Sequence, residues 1–428
     1  MKIEVISGDI VKLQVNAVMV NLFEGLSQPG GATAAVDRAL EGAITRLIAE
    51  GEIKGKLGEV TVIHSLGRIP SARVAVLGLG KQEDFTLDRI RGVVAGGCRA
   101  LRKIGARRVA TILHGAGAAG FESADAAQAV TEGALLGLYT FKKHITKEPE
   151  EGDIEELLIV EREENRLPPL REAVERGAVI AEAANLARDL VNEPANRMTP
   201  TALAEAARQV AEEEGLELSV LERGDMEEMG MGALLGVAQG SRQPPKFIVL
   251  RYLGAGPDSP ALGLIGKGLT FDSGGLSIKP SEGMGEMKSD MAGGAAVIAA
   301  LKAIARLKPK INVTGLVPAT ENLPDGAALK PGDILRTMGG KTIEVVTTDA
   351  EGRLLLADSL CYARQQGLSP LVDIATLTGS CKVALGDVCT GIFGNDQEVV
   401  DKVIQAAERA GEKLWQLPLY EEYKEQNK

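Results

Sequence analysis

The stretch 261-ALGLIGKGLTFDSGGLSIKP-280 joins a short apolar run to a glycine-rich loop that carries lysines and an aspartate. An apolar run of this length that is closed by glycine is typical of a buried β-strand. Similar runs recur at 247–253, 312–318, 343–348 and 371–377, and helical patterns separate several of them. Strands that alternate with helices predict a largely parallel sheet that is covered by helices on both faces.

The preceding part of the chain predicts a separate α/β domain. Strand-like runs lie at 2–8, 16–23, 60–66, 73–80 and 108–115, and helical patterns lie at 29–51 and 87–105. A charged stretch, 147–156, is followed by a long helical pattern at 167–192. Because 428 residues exceed one ordinary core, we expect two domains, at 1–165 and 166–428, the second beginning with a linker helix.

The composition argues against several classes of protein. A net charge of −11 weighs against broad electrostatic binding to nucleic acid or to an anionic membrane. The longest apolar runs, such as 292–301, are too short to span a bilayer. The N-terminus has the pattern of a strand rather than of a signal peptide, so we expect a cytoplasmic protein with no membrane partner.

Histidine chemistry is confined to the first third of the chain. The three histidines are His64, His114 and His144, and the sequence after residue 144 contains no histidine. An HExxH zinc site or a local Ser-His-Asp triad is therefore excluded from the second domain, unless a histidine reaches it from the first.

Three polar clusters follow strands of the second domain, where open α/β sheets bind their ligands. The first cluster contains Lys267, Asp272 and Lys279. A lysine among glycines is usually exposed to solvent, but burial would lower its pKa and allow the neutral amine to bind a metal. A phosphate-binding P-loop is only weakly indicated, because the spacing GxxxxGK[ST] is absent.

The other two clusters each have two interpretations. Asp290 precedes an apolar helical pattern and is either an N-cap or a ligand. The stretch 347-TTDAEGRLLLADSL-360 leads from a strand into a helix. Its Asp349, Glu351 and Arg353 side chains would face one side if the chain were extended there. The alternative is a solvated helix start, where acidic residues are favoured by the helix dipole.

Together the clusters place four carboxylates and three cations at the strand ends of one sheet. Buried carboxylates repel each other strongly unless metal ions neutralise them. Oxygen ligands without histidine, with a possible amine nitrogen, suit two divalent ions that share ligands. The residues therefore predict a two-metal hydrolase and leave its substrate open, since a two-metal phosphatase or nuclease also remains possible.

Four motifs in fixed order resemble a known family. They are 189-DLVNEPANRMTP-200, 266-GKGLTFDSGGLSIKPSEGMGEMKSDMAGGAA-296, 347-TTDAEGRLLLADSL-360 and 373-DIATLTGS-380. They closely resemble the leucyl aminopeptidase family, the two-metal, hexameric cytosolic aminopeptidases, and 6-ISGDIVKLQVNAVMVNLFEG-25 resembles the macro-like domain of that family. The resemblance implies an N-terminal macro-like α/β domain and a C-terminal α/β catalytic domain with a mixed, mainly parallel sheet covered by helices.

The resemblance also implies the metal ligands. A tightly held metal is assigned to Lys267, Asp272, Asp290 and Glu351. A more exchangeable metal is assigned to Asp272, Asp349 and Glu351, and Asp349 also offers its backbone carbonyl. Both ions are expected to be Mn²⁺ or Zn²⁺, and together they polarise the scissile carbonyl and activate a water.

Further roles follow from the same resemblance. Lys279 stabilises the oxyanion, and Arg353 holds a bicarbonate ion that carries the proton from water to the leaving amine. Asp290 and a metal bind the free α-amine of the peptide, so only N-terminal residues, preferably Leu-like apolar ones, are removed by the homohexamer. The substrate pocket is shaped by Met287, Thr376, Leu377 and Gly379, although core packing explains Met287 equally well.

Two features depart from the family pattern. Thr347 stands where the family usually has asparagine. Family chains also continue beyond position 428, so we expect a catalytic domain that is C-terminally incomplete. The competing hypothesis is a non-catalytic family member, either a scaffold or a protein that binds ADP-ribose-type ligands or nucleic acid. The net charge weighs against nucleic acid, and the complete set of metal ligands weighs against a pure scaffold.

Overall fold

The computed structural model describes residues 1–115, 120–147 and 152–427. Its internal contacts divide the chain into two compact units. The first unit comprises residues 1–182 and 403–413, and the second comprises residues 183–402 and the segment from 414 onward.

The first unit is built on a six-stranded sheet, and every strand predicted from its sequence is present. Its elements are β1 Lys2–Ser7, β2 Ala17–Leu22, α1 Gly31–Ala39, α2 Ala43–Ala49, β3 Val60–His64, β4 Arg73–Gly78, α3 Leu87–Lys103, β5 Arg108–Thr111, α4 Ser123–Gly137 and β6 Glu156–Glu161. The strand order is β1-β6-β5-β2-β4-β3, and only the β3–β4 pair is antiparallel. This unit therefore has the α/β class that was predicted for the N-terminal part of the chain.

The single helix predicted at 29–51 is instead two helices, α1 and α2. The backbone turns between them at Glu41 and Gly42, where φ is +57° and +77°. The buried carboxylate of Asp37 stabilises the start of α2, because its Oδ1 accepts hydrogen bonds from the backbone N–H of Ile44 at 2.7 Å and of Thr45 at 3.2 Å. Apolar periodicity does not register a capping interaction of this kind, so the pattern predicted one helix.

The second unit contains most of the remaining elements. Helices α5 Leu167–Asn192 and α12 Gln397–Ala410 contribute residues to both units. The others are α6 Pro200–Glu214, β7 Glu217–Leu221, α7 Arg223–Glu228, α8 Gly232–Ala238, β8 Lys246–Leu253, β9 Ala261–Gly266, β10 Gly268–Asp272, α9 Ala292–Leu307, β11 Asn312–Asn322, β12 Ile334–Arg336, β13 Thr342–Glu344, α10 Gly352–Gln365, β14 Leu371–Ile374, α11 Gly379–Leu385, β15 Thr390–Ile392 and β16 Leu414–Gln416.

Strand β11 is the central strand of this unit. The main sheet has the order β14-β9-β11-β8-β7, and β10 pairs with the C-terminal end of β11. The pairs β14–β9, β9–β11 and β10–β11 are parallel, whereas β11–β8 and β8–β7 are antiparallel. All eleven residues of β11 are buried. The sheet is mixed and mainly parallel, as expected.

The strand predicted at 343–348 is shorter than expected and lies outside the main sheet. Only Thr342–Glu344 is extended as a strand, β13, and it pairs with β12 in a two-stranded ribbon. Val346 is 83% exposed. A β-branched run favours a strand but does not determine which sheet it joins.

Capping residues in the sequence define the ends of α6. Thr199 is its N-cap, and the threonine hydroxyl accepts a hydrogen bond from the backbone N–H of Ala202 at 3.2 Å. Pro200 occupies the first helical position, and Gly215 ends the helix with φ at +69°.

Among the helices of the described residues, none combines the length and the apolar character that a membrane span needs.

A buried carboxylate on α10 caps a different helix, α8. Asp358 is 0% exposed, and its Oδ2 accepts hydrogen bonds from the backbone N–H of Ala233 at 2.9 Å and of Leu234 at 3.0 Å. Its Oδ1 accepts a third from the N–H of Met338 at 2.8 Å. Burial raises the pKa of Asp358, and these three hydrogen bonds oppose that effect. The first turn of α8 thus depends on a residue more than one hundred positions away.

We expect Asp358→Ala to lower the free energy of unfolding by about 2–4 kcal/mol, because two buried N–H groups and a half-buried one would lose their acceptor. The matched control is Asp401→Ala on α12, where the aspartate is exposed, and it should change stability by no more than about 0.5 kcal/mol. Urea denaturation followed by circular dichroism measures both variants. Equal stabilities would contradict the capping role.

Candidate metal centre

Two successive strands bring the first predicted ligands to one end of β11. Lys267 is the residue between β9 and β10, and Asp272 is the last residue of β10. Asp272 is in register with Asn322, the last residue of β11. Lys267 and Asp272 are 2% and 3% exposed, so both charged groups are buried at the strand ends where ligand binding was predicted.

The amine of Lys267 lies between two buried carboxylates. Its Nζ is 2.7 Å from Asp290 Oδ2 and 2.7 Å from Glu351 Oε1. The lysine also packs directly against the first turn of α10, since a Cβ at Gly352 would lie 2.8 Å from Nζ. A side chain at position 352 would therefore displace the amine from its present position between the carboxylates.

Asp290 is a member of this cluster and is not the N-cap of α9. It follows the 3₁₀ turn Met284–Ser289, and the N-cap position of α9 is occupied by Met291. Its Oδ1 accepts a hydrogen bond from Thr376 Oγ1 at 2.7 Å, and its Oδ2 faces Lys267. The structure thus excludes the capping interpretation of Asp290.

A second lysine connects the loop after β10 to the turn before α10. Lys279 Nζ is 2.8 Å from Asp272 Oδ2 and also forms an ion pair with Asp349 Oδ1. The Lys279 side chain is 21% exposed and that of Asp349 is 39% exposed, whereas Glu351 is almost fully buried. The centre therefore contains three buried carboxylates and one at its edge, rather than four buried ones.

The expected extended chain at 347–353 is absent. Thr348–Ala350 form a 3₁₀ turn, and α10 begins at Gly352. Consequently Glu351 is buried, whereas Arg353 is exposed and makes no ion pair within the described residues. Asp349, Glu351 and Arg353 therefore do not face one side as they would along a strand, because the turn and the helix start direct their side chains differently.

Two threonines hold the turn in place. Thr347 Oγ1 accepts a hydrogen bond from the backbone N–H of Asp349 at 3.3 Å, which is the capping contact that an asparagine could also make. Thr348 Oγ1 donates to the carbonyl oxygen of Gly274 at 2.6 Å and accepts from the N–H of Ser277 at 2.8 Å. The turn is thereby attached to the loop that follows β10.

Neighbouring carboxylates reverse the effect that burial was expected to have on the pKa of the Lys267 amine. Burial lowers the pKa of the amine, but attraction to Asp290 and Glu351 and hydrogen bonds with them outweigh burial, so the pKa is raised. The expectation of a lowered pKa fails because it left out these two carboxylates. Burial raises the pKa of Asp290 to about 6, against the opposing attraction of Lys267.

Three of the carboxylates lie close enough together to hold a metal ion. One ligand oxygen from each of Asp272, Asp290 and Glu351 lies within 4.8 Å of the other two. Glu351 Oε2 is buried and has no hydrogen-bond partner among the described residues. Counting Asp349, four carboxylates face two lysines, which leaves a formal charge of −2. Divalent cations would balance this excess negative charge and bind the unpartnered buried oxygen, so the donor set fits them.

The residues expected to shape the substrate pocket lie on two segments near this centre. Met287 is half-buried in the 3₁₀ turn before Asp290. Thr376, Leu377 and Gly379 follow β14 and are exposed. The hydroxyl of Thr376 contacts Asp290 directly, so this threonine orients a predicted ligand.

Asn322 belongs to the centre and was missed by the sequence analysis. Its Nδ2 donates hydrogen bonds to Asp272 Oδ1 at 2.8 Å and to the carbonyl oxygen of Thr348 at 2.9 Å. The predicted strand ended at Pro318, because proline and the polar residues after it are typical of a loop. The register of Asp272 with Asn322 is what brings this amide to the site.

All three histidines belong to the first unit, and one of them, His114, is part of its buried core. His114 is fully buried and its ring nitrogens lie 3.0 Å from Asn21 Nδ2 and 2.9 Å from Thr111 Oγ1. Burial lowers the pKa of His114 to about 4, so the imidazole is neutral at physiological pH. The candidate metal centre itself is composed of carboxylates, lysines and neutral polar groups.

Two family profiles match the chain. The catalytic domain of the cytosol aminopeptidase family matches residues 185–428, and the N-terminal domain of the same family matches residues 19–148. The matched catalytic region contains every residue of the metal centre described above.

Curated relatives and solved structures agree with these matches. The chain is 47% identical over 426 residues to a probable cytosol aminopeptidase of Alkaliphilus oremlandii, covering 99% of this chain and 85% of the relative. A probable cytosol aminopeptidase of Geobacter sulfurreducens is 44% identical, again covering 99% of this chain and 85% of the relative.

Two solved structures have closely similar folds. A tomato leucine aminopeptidase mutant superposes with a TM-score of 0.88 at 32% identity, covering 99% of this chain and 83% of that one. The bottromycin maturation enzyme BotP in complex with Mn gives a TM-score of 0.83 at 36% identity, covering 96% of this chain and 83% of that one. The chain therefore belongs to the cytosol aminopeptidase family and is a metal-dependent aminopeptidase.

Proposed function

We propose that this aminopeptidase releases Leu-like apolar residues from peptides with a free N-terminus, using two divalent metal ions in each chain. The observation that carries the proposal is the convergence of three buried carboxylates within 4.8 Å, with two lysines beside them. The similarity to a leucine aminopeptidase structure supports the substrate class.

We assign the ligands to two metal positions. Lys267, Asp272, Asp290 and Glu351 would hold the tighter metal, and Asp272, Asp349 and Glu351 would hold the more exchangeable one. When bound, the metals supply Lewis acidity that polarises the scissile carbonyl and lowers the pKa of a water. Lys267 must lose its proton to donate a lone pair. The donor set suits Mn²⁺ or Zn²⁺, and the relative BotP was solved in complex with Mn.

Lys279 is assigned to stabilise the oxyanion that forms from the scissile carbonyl. Its amine is partly accessible and lies between Asp272 and Asp349, at the accessible edge of the centre. A fixed ammonium group in this position favours negative charge that develops during the reaction.

Substrate selection is assigned to Asp290 and to the segment after β14. Asp290 carries negative charge close to the proposed metals and would attract the α-ammonium or amine of a free N-terminus. Met287, Thr376, Leu377 and Gly379 would line the pocket for the first side chain. Leu377 and Met287 supply apolar surface, which fits a Leu-like residue.

Arg353 is assigned to hold a bicarbonate ion. Its guanidinium is exposed and has no acidic partner within the described residues, and it lies in the first turn of α10, where the helix dipole favours anions. Bicarbonate would provide the proton-transfer group that the centre otherwise lacks.

We further propose a cytoplasmic homohexamer with a domain boundary near residue 165, immediately before α5. The family resemblance supports these assignments. A purely non-catalytic scaffold is less consistent with a centre that gathers uncompensated carboxylates, because such a centre is costly to maintain without metals.

The substrate proposal is tested with leucine p-nitroanilide and its N-acetylated form, after chelation and after return of Mn²⁺ or Zn²⁺. We expect the anilide with a free α-amine to be cleaved. Cleavage of the N-acetylated anilide should be at least about 100-fold slower, because the contact of the amine with Asp290 is lost. Chelation should abolish activity, and metal should restore it. The control substrate is p-nitrophenyl phosphate, which should remain intact. Equal cleavage of both anilides would contradict the proposal.

The bicarbonate proposal is tested with Arg353→Ala. We expect kcat to fall about 10- to 100-fold and its stimulation by added bicarbonate to disappear, because the anion loses its charged partner. The matched control is Arg364→Ala, an exposed arginine at the other end of α10. Steady-state rates across a bicarbonate titration decide the outcome. A variant that still responds like the unmodified enzyme would rule out Arg353 as the binding group.

A further inference from the structure

Asn322 occupies a fixed position at the end of the central strand. It is 3% exposed, and its backbone carbonyl accepts hydrogen bonds from Ser273 N–H at 3.0 Å and from Ser273 Oγ at 2.7 Å. Its backbone is also paired in register with that of Asp272. The side-chain amide therefore projects from a rigid point in the sheet.

The chemistry of its neighbours determines the orientation of the Asn322 amide. Nδ2 lies 2.8 Å from Asp272 Oδ1 and 2.9 Å from the carbonyl oxygen of Thr348. A carboxylate and a carbonyl only accept hydrogen bonds, so the amide nitrogen must face both of them. Both of its hydrogens are used.

The first hydrogen bond orients the carboxylate of Asp272. Oδ1 accepts from Asn322 Nδ2 and, at 2.9 Å, from the N–H of Gly274, so both of its lone pairs are occupied. Oδ2, which lies 2.8 Å from Lys279 Nζ, is then the oxygen that remains for a metal. Asn322 thus determines which carboxylate oxygen faces the centre.

The second hydrogen bond restrains the turn that carries two other ligands. Thr348 is the first residue of this turn, and Asp349 and Glu351 follow it. A single amide group therefore fixes Asp272 relative to the segment that bears Asp349 and Glu351. Within the described residues, its side chain makes no hydrogen bond to the remaining assigned ligands, Lys267 and Asp290.

We propose that Asn322 is a positioning residue that sets the affinity of the more exchangeable metal. All three ligands assigned to that metal, Asp272, Asp349 and Glu351, lie on the two segments that Asn322 joins. The tighter metal would also be held by Lys267 and Asp290, which make other contacts. This inference rests on the proposed two-metal function. Loss of an outer hydrogen-bond partner of this kind typically weakens metal binding about 10- to 100-fold.

The other end of β11 provides a matched control. Asn312 is 2% exposed, and its Nδ2 donates to the carbonyl oxygens of Gly256 at 2.5 Å and Ser259 at 3.0 Å. Its Oδ1 accepts from the N–H of Ala255 at 3.0 Å. Asn312→Ala therefore removes comparable buried hydrogen bonds from the same strand, ten positions away from the centre.

The test is calorimetric titration of the full chain with Mn²⁺ for the unmodified protein, Asn322→Ala, Asn322→Ser and Asn312→Ala. We expect two sites in the unmodified protein. Asn322→Ala should weaken the weaker site about 10- to 100-fold and the stronger site by less than about threefold. Asn322→Ser keeps one donor, so its affinity at the weaker site should lie between those of the unmodified protein and Asn322→Ala. Asn312→Ala should leave both affinities unchanged.

Electron paramagnetic resonance separates positioning from general damage to the fold. Close pairing of two Mn²⁺ ions gives a spin-coupled spectrum, and Asn322→Ala should show isolated Mn²⁺ at metal concentrations that saturate the unmodified protein. Its activity should recover at higher Mn²⁺ concentration. Equal weakening of both sites, or equal effects of Asn322→Ala and Asn312→Ala, would overturn the inference. Failure of the unmodified protein to bind two ions would instead refute the proposed function on which the inference rests.

Discussion

Several carboxylates cannot be gathered out of water unless positive charge accompanies them, and the catalytic unit is organised around this constraint. Lys267 and Lys279 each lie between two carboxylates, and these ion pairs connect the strand ends to the start of α10. Removing one partner of such a buried pair typically costs about 3–5 kcal/mol, because the remaining charge stays buried. The same carboxylates that pair with the lysines are the ones assigned to the metals.

Neutral hydrogen bonds give this charged cluster its geometry. Thr376 orients Asp290, and Asn322 orients Asp272. Thr348 attaches the turn before α10 to the loop after β10. These contacts connect segments far apart in sequence, and they converge because β9 and β10 follow one another along β11. A rigid central strand is what allows ligands from separate loops to meet.

The sequence predicts the parts of the centre that local pattern controls. Lys267 and Asp272 were identified because they follow apolar strands closed by glycine, and the α/β class followed from the alternation of strands and helices. The turn at 348–350 was not predicted, because the β-branched run that precedes it favours a continued strand. The raised pKa of Lys267 and the contribution of Asn322 depend on partners distant in sequence, which neither spacing nor propensity reveals.

The account is tested most directly by anomalous diffraction from crystals of the full chain grown with Mn²⁺. We predict two anomalous peaks about 3.5–4 Å apart, surrounded by Asp272, Asp290, Asp349 and Glu351, with Lys267 directed at one of them. Absence of any peak among these carboxylates, with both lysines still paired to them, would contradict the claim that the cluster is a two-metal centre.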